Sequence, residues 1–193
     1  MGNQFAPNHV IHLHDENHSR GHFLGGFRIA PLCTRRRGSR SRAAAGCGPD
    51  QIKFEVKTDK NQHPAPKAEP TKALVYVFQD VKQDNTLTIG TATTRVGLDG
   101  AWIGAIHGKS YFFFSAEPGN HRVCAAWQSS LKRISKLGSA ADLSAEAGKV
   151  YYLRVSVDER SNHRPDVKME HIDPAEAQLL IASSSLSTSQ PKK

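Results

Sequence analysis

The sequence predicts an all-β fold, a small antiparallel β-sandwich followed by one short helix. Three observations lead there. The apolar runs are short and rich in β-branched and aromatic residues, a composition suited to a pleated, half-buried surface. Turn residues separate them, most clearly Asp99-Gly100, because Asp and Gly tolerate the positive φ that a two-residue type I′ turn demands. The runs also concentrate between Lys72 and Ile181, with polar segments on either side.

Residues 1–46 read as a disordered Arg- and His-rich segment. They hold seven Arg, one Asp and one Glu, a net +5 within a chain total of +8. The other 147 residues hold 19 basic and 16 acidic residues, a net +3, so the part that can fold carries no basic stripe for nucleic acid. No Lys precedes Lys53, although Lys and Arg are used 13 times each. Such a composition fits a shifted reading frame or a wrong start for a signal region better than an evolved domain. His12, His14, His18 and His22 are metal-ligand types. With Gly21, Gly25 and Gly26 among them and no helical pattern, they make no preformed site, and no metal or other cofactor is expected. Arg35 to Arg42 reads as a solvated basic tail, since no apolar core follows it as an export signal requires.

Residues 47–71 read as a polar linker with Pro64, Pro66 and Pro70, in which Ile52, Phe54 and Val56 alternate as a short edge strand would. The domain is expected over residues 72–182. Ala73 to Phe78 is apolar on both faces, as a central strand is. Gln79 to Asn85 reads as a loop, and Thr86 to Val96 as a strand interrupted at Gly90. Arg95 to Leu98, Ala101 to Ile106, Ser110 to Ser115 and His121 to Trp127 follow as four strands of an antiparallel meander. Its turns are Asp99-Gly100, His107-Gly108-Lys109 and Glu117-Pro118-Gly119-Asn120. After a polar loop from Ser129 to Ser139, Ala140 to Ser144 is a short strand. Val150 to Val157 alternates Tyr151, Leu153, Val155 and Val157 against Arg154 and Ser156, and Val167 to His171 is a last strand. Asp173-Pro174 is an N-cap followed by Pro at the first helical position, so Ala175 to Ala182 is a helix that docks Leu179, Leu180 and Ile181. Residues 183–193 are Ser-rich and read as a disordered tail.

These residues carry few groups placed for chemistry. The three cysteines, Cys33, Cys47 and Cys124, are odd in number and lack CxxC spacing, which predicts neither a zinc site nor a disulfide framework. Cys124 reads as a buried inert thiol. His107, His121, Asp99, Glu117 and Cys124 are the candidate reactive groups. His121 and Cys124 lie three apart on one strand and so point to opposite faces. No nucleophile elbow, zincin or P-loop pattern is present. The residues thus point to a noncatalytic protein. Trp102, Tyr111 and Trp127, with Tyr152, could make an aromatic platform for a glycan or peptide. Trp127 reads as core, and Trp102 reads equally well as core or surface. Exposed edge strands could also accept a partner's strand. Nothing approaches the run of about 18 apolar residues that spans a bilayer.

Residues 43–50, AAAGCGPD, are similar to the lipobox at which bacterial lipoproteins are cleaved, with Ala44, Ala45, Gly46 and Cys47 in its four positions. Residues 29–42 should then be apolar but contain five Arg, so Cys47 is a lipidation site only with a restored upstream signal. The motifs of Ala73 to Phe78, Val96 to Val123 and Leu143 to Val155 together resemble the DUF2846 family of bacterial proteins. More loosely, the strand–Asp-Gly–strand and Pro-Gly-x-His elements resemble PEGA-type modules. The resemblance implies a small β-sandwich of transthyretin or PEGA type, often behind a signal or lipobox, with no established activity. It therefore implies an envelope-associated domain with a structural or protein-interaction role, its partner an unknown envelope protein or glycan. Any membrane contact would be made through a lipid anchor alone. The alternative is a carbohydrate- or peptidoglycan-binding module using surface aromatics. Placement follows the N terminus: periplasm or outer membrane by resemblance, cytoplasm if residues 1–46 are genuine.

Overall fold

The computed structural model describes residues 47–80, 93–129, 137–160 and 164–193. Ten strands and one helix follow one another: β1 (Phe54–Asp59), β2 (Ala73–Asp80), β3 (Thr93–Leu98), β4 (Ala101–His107), β5 (Ser110–Ala116), β6 (Gly119–Gln128), β7 (Gly138–Ala145), β8 (Val150–Arg160), β9 (Arg164–His171), α1 (Pro174–Ser183) and β10 (Ser185–Pro191). The expectations for residues 1–46, for residues 81–92 and for most of the loop after Ser129 lie outside the described residues.

Two sheets face each other. One has six strands in the order β1-β10-β5-β2-β8-β9, the other four in the order β4-β3-β6-β7. The all-β sandwich is therefore as expected, and β2 is an interior strand of the larger sheet, buried on both faces. Two pairs in that sheet, β2–β8 and β10–β5, run parallel. Val75, Val77, Val96, Ile106, Val123, Leu153 and Val155 meet between the sheets as the main core. The outer face of the six-stranded sheet is a second apolar layer of Leu74, Tyr76, Phe78 and Tyr111, closed by Ala177 of α1 and Leu186 of β10.

The meander is corrected. Asp99 (φ 48) and Gly100 (φ 88) do form the β3–β4 hairpin. At the next turn the chain leaves the sheet: β5 pairs with β2, and β6 returns to pair with β3. The turns on either side of β5 each contain one positive-φ glycine, Gly108 (φ 62) and Gly119 (φ 141), and each carries the chain from one sheet to the other. Sequence pattern identifies strands locally, but strand partners are chosen by the packing of both faces.

Domain boundaries are corrected at both ends. The Ser-rich segment after Ser184 is the strand β10, lying between β1 and β5. Its serines are small enough to be enclosed: Ser187 Oγ lies 2.6 Å from Ser110 Oγ, and Ser189 Oγ accepts the Ala105 N–H at 2.9 Å. The linker contains β1, which pairs with β10 along its whole length. Asp173 caps α1 as expected, its carboxylate accepting the N–H groups of Ala175 and Glu176. Of the three apolar residues expected to dock, Leu180 and Ile181 pack on the second layer, whereas Leu179 is 72% exposed.

Three of the four edge strands, β4, β7 and β9, have backbone groups taken up by side chains, and β1 is the fourth edge. Ser189 takes up an N–H of edge strand β4. Across the opposite seam Ser139 Oγ accepts the Met169 N–H at 3.1 Å, and His171 Nε2 lies 3.0 Å from the Asp142 carbonyl. Side chains thus occupy backbone groups of β4, β7 and β9 that a partner strand would need.

Candidate functional site

A groove lies where the β3–β4 hairpin meets the start of β6. It measures about 370 Å³, with Asp99, Asn120, His121, Arg122 and Asp142 in its lining. Asp99 Oδ1 accepts the Arg122 N–H at 2.8 Å, and Asp99 Oδ2 lies 2.6 Å from His121 Nδ1. His121 Nε2 lies 2.7 Å from the Glu117 carbonyl. A carbonyl only accepts, so Nε2 carries a proton; the Asp99 carboxylate takes the proton of Nδ1 as well. Both contacts therefore favour the imidazolium form of the ring. The bond to Asp99 and then the one to Glu117 raise its pKa above the usual 6.5. Asp99 is shifted down from 3.8, first by the Arg122 N–H and then by His121.

An Asp–His pair in a groove resembles the orienting half of a catalytic triad. Here both ring nitrogens are occupied by groups of the fold itself, which leaves none to take a substrate proton. Gly100 and Gly119 supply the backbone turns that bring the two loops together, with Pro118 exposed between β5 and β6. The turn residues Asp99, Gly100, Pro118 and Gly119 thus belong to one clamp. The other candidate histidine, His107, has its Nδ1 2.9 Å from Thr93 Oγ1.

A second constellation lies on the outer face of the four-stranded sheet. Cys47 and Cys124 are joined in a disulfide across a sequence separation of 77, which corrects the reading of Cys124 as a free thiol and of the cysteines as unpaired. Three further contacts hold the residues after Cys47 on the sheet. Trp102 Nε1 donates to the Pro49 carbonyl at 2.8 Å. Arg95 Nη1 donates to the carbonyls of Asp50 at 3.1 Å and Ile52 at 2.9 Å. The Arg95 guanidinium sits 4.4 Å from the Trp102 ring centroid, a cation–π distance. Gly97 makes room, because a Cβ there would stand 2.5 Å from the Cys47 carbonyl oxygen. The residues expected to be a flexible linker are in their first part fastened down.

The proposed aromatic platform is not assembled. Trp127 packs into the core between the sheets, as its strand position suggested. Trp102 lies on the opposite face of the same sheet, beside Arg95, whose neighbour Val96 points into the core. Tyr111 is fully buried in the second apolar layer, on the other sheet. Strand alternation and sheet exchange separate the three rings. Among the described residues no three His, Cys, Asp or Glu side chains are placed to hold a metal ion. No helix among them is long and apolar enough to cross a membrane.

Arg95 and its contacts escaped the reading of the sequence. The available signal was an Arg beside an apolar run next to Gly97, which breaks the alternation a strand with one wet face should show. No curated protein matches the chain. A family described as a protein of unknown function, DUF2846, matches residues 69–168. The match contains the central strand β2, the Asp99-Gly100 hairpin and the Pro-Gly-x-His turn with His121, and the chain belongs to the DUF2846 family.

Proposed function

We propose that this protein is a noncatalytic β-sandwich of the cell envelope with a structural or protein-interaction role. The observation that carries the reading is the use to which the recognisable motif is put. Asp99, His121, Gly100 and Gly119 are engaged in holding two turns together, which supports reading the pattern as a scaffold. The Cys47–Cys124 disulfide supports placement in an oxidising compartment, where such bonds persist.

The same bond bears on the lipid anchor. A lipid thioether and a disulfide both require the single Sγ of Cys47, so one molecule carries one or the other. The placement we favour is therefore periplasmic for the disulfide-bonded form, with a lipoprotein form only where the Cys47 sulfur takes its lipid thioether before it meets Cys124. The test is expression from the genomic start, cell fractionation and intact mass analysis of the peptide carrying Cys47. The expected result is recovery in the envelope with Cys47 in a disulfide or a lipid adduct. Recovery wholly in the cytoplasm with both cysteines as thiols would sink the envelope reading.

A further inference from the structure

Arg95 is 2% exposed, and among the described residues it forms no ion pair. Burying a cation is costly unless other groups compensate its charge. The compensation visible here is partial. Two backbone carbonyls take Nη1 hydrogens and the Trp102 face covers the guanidinium, but the Nε–H is buried with no acceptor. Arg95 also lines a small cavity of about 60 Å³ with Asp50, Lys53, Gln128 and Ser129. Gln128 is committed elsewhere, its amide bonding both the N–H and the carbonyl of Phe54. Two cations and one carboxylate therefore share the cavity. The Asp50 backbone carbonyl hydrogen-bonds Arg95, and the Asp50 carboxylate acts on the guanidinium through its charge without forming one of the close ion pairs among the described residues.

We propose that this cavity is a subsite for one small monoanion of the carboxylate class, held by the Arg95 guanidinium and the Lys53 ammonium. A volume of about 60 Å³ suits a single carboxylate group, and a planar acceptor matches the guanidinium's fork of donors. The ligand would be a terminal or side-chain carboxylate of a bound molecule, or a free small carboxylate. Asp50 is the internal competitor, so its charge should weaken binding while that of Lys53 strengthens it.

The test titrates acetate into the full chain and follows Trp102 fluorescence in a Trp127→Phe background, at ionic strength held constant with a bulky anion. A saturable change is expected. Lys53→Gln should weaken it about fivefold and Asp50→Asn should tighten it by a similar factor, the size of one exposed charge interaction. Lys109→Gln, a charge change outside the cavity lining, should leave it unaltered. Arg95→Lys, which removes Nε and the fork, should abolish saturation; its melting temperature shows whether the fold survives. If only Arg95→Lys unfolds the protein, the opposite shifts of the Lys53 and Asp50 variants still decide. A linear response, or equal effects of all three charge variants, would mean that water alone fills the cavity and would overturn the proposal. A short peptide ending in a free carboxylate, compared with its amide, distinguishes a tethered carboxylate from a free one.

Discussion

His121 Nδ1 lies 2.6 Å from Asp99 Oδ2, and through this contact one imidazole joins the hairpin after β3 to the turn before β6. The two groups shift in opposite directions, His121 up and Asp99 down, as an ion pair requires. A raised His pKa contributes stability that is complete below the unfolded value near 6.5 and is lost as pH rises through the folded value. A lowered Asp pKa contributes stability that is complete above 3.8 and is lost as pH falls through its folded value. The melting temperature should therefore be highest at mildly acidic pH. It should decline above the ordinary His range, and His121→Phe should remove that alkaline decline. A profile identical in wild type and variant would show that the clamp contributes nothing.

Gly100 has φ 88 in the hairpin turn, a region closed to a β-branched residue. Gly100→Val should cost about 1–3 kcal/mol through backbone strain, read as a lower melting temperature. Gly148, also at positive φ (73) and with nothing within 4 Å of a Cβ, serves as the comparison turn outside the clamp.

The Cys47–Cys124 bond should stabilise the domain by about 2–4 kcal/mol, since it closes a long loop in the unfolded chain. Cys124→Ser should lower the midpoint of urea unfolding accordingly. Gly97→Ala should loosen the segment after Cys47 without removing the bond, because the new methyl group meets the Cys47 carbonyl. Hydrogen exchange at residues 48–52 would reveal the loosening. Unchanged exchange would show that the segment is held independently of Gly97.

Deleting residues 185–193 should unfold or aggregate the domain. β10 is the strand that connects β1 to the rest of the six-stranded sheet, and its Leu186 covers Tyr111. Limited proteolysis of the intact chain should leave a core that begins near Cys47 and includes β10. A stable fragment confined to 72–182 would contradict the observed pairing.

The sequence alone determined the fold class, the central strand, the hairpin at Asp99-Gly100 and the cap of α1. Each of these depends on neighbours a few residues apart. Alternation selects a strand, two positive-φ residues select a turn, and an Asp before Pro selects a helix start. Tertiary structure decided everything that depends on partners distant in the chain. A Ser-rich segment became a strand because two strands and enclosing hydroxyl partners were available to it, which composition does not reveal. Four consecutive strands were divided between two sheets because each must bury its own apolar face. The rings of Trp102, Tyr111 and Trp127 were placed apart by that division. Asp99 and His121 were legible as turn residues, but their meeting was not, because 22 positions separate them. Cys47 and Cys124 likewise acquired their bond only when Gly97 let one segment approach the other, a closeness that no local pattern encodes.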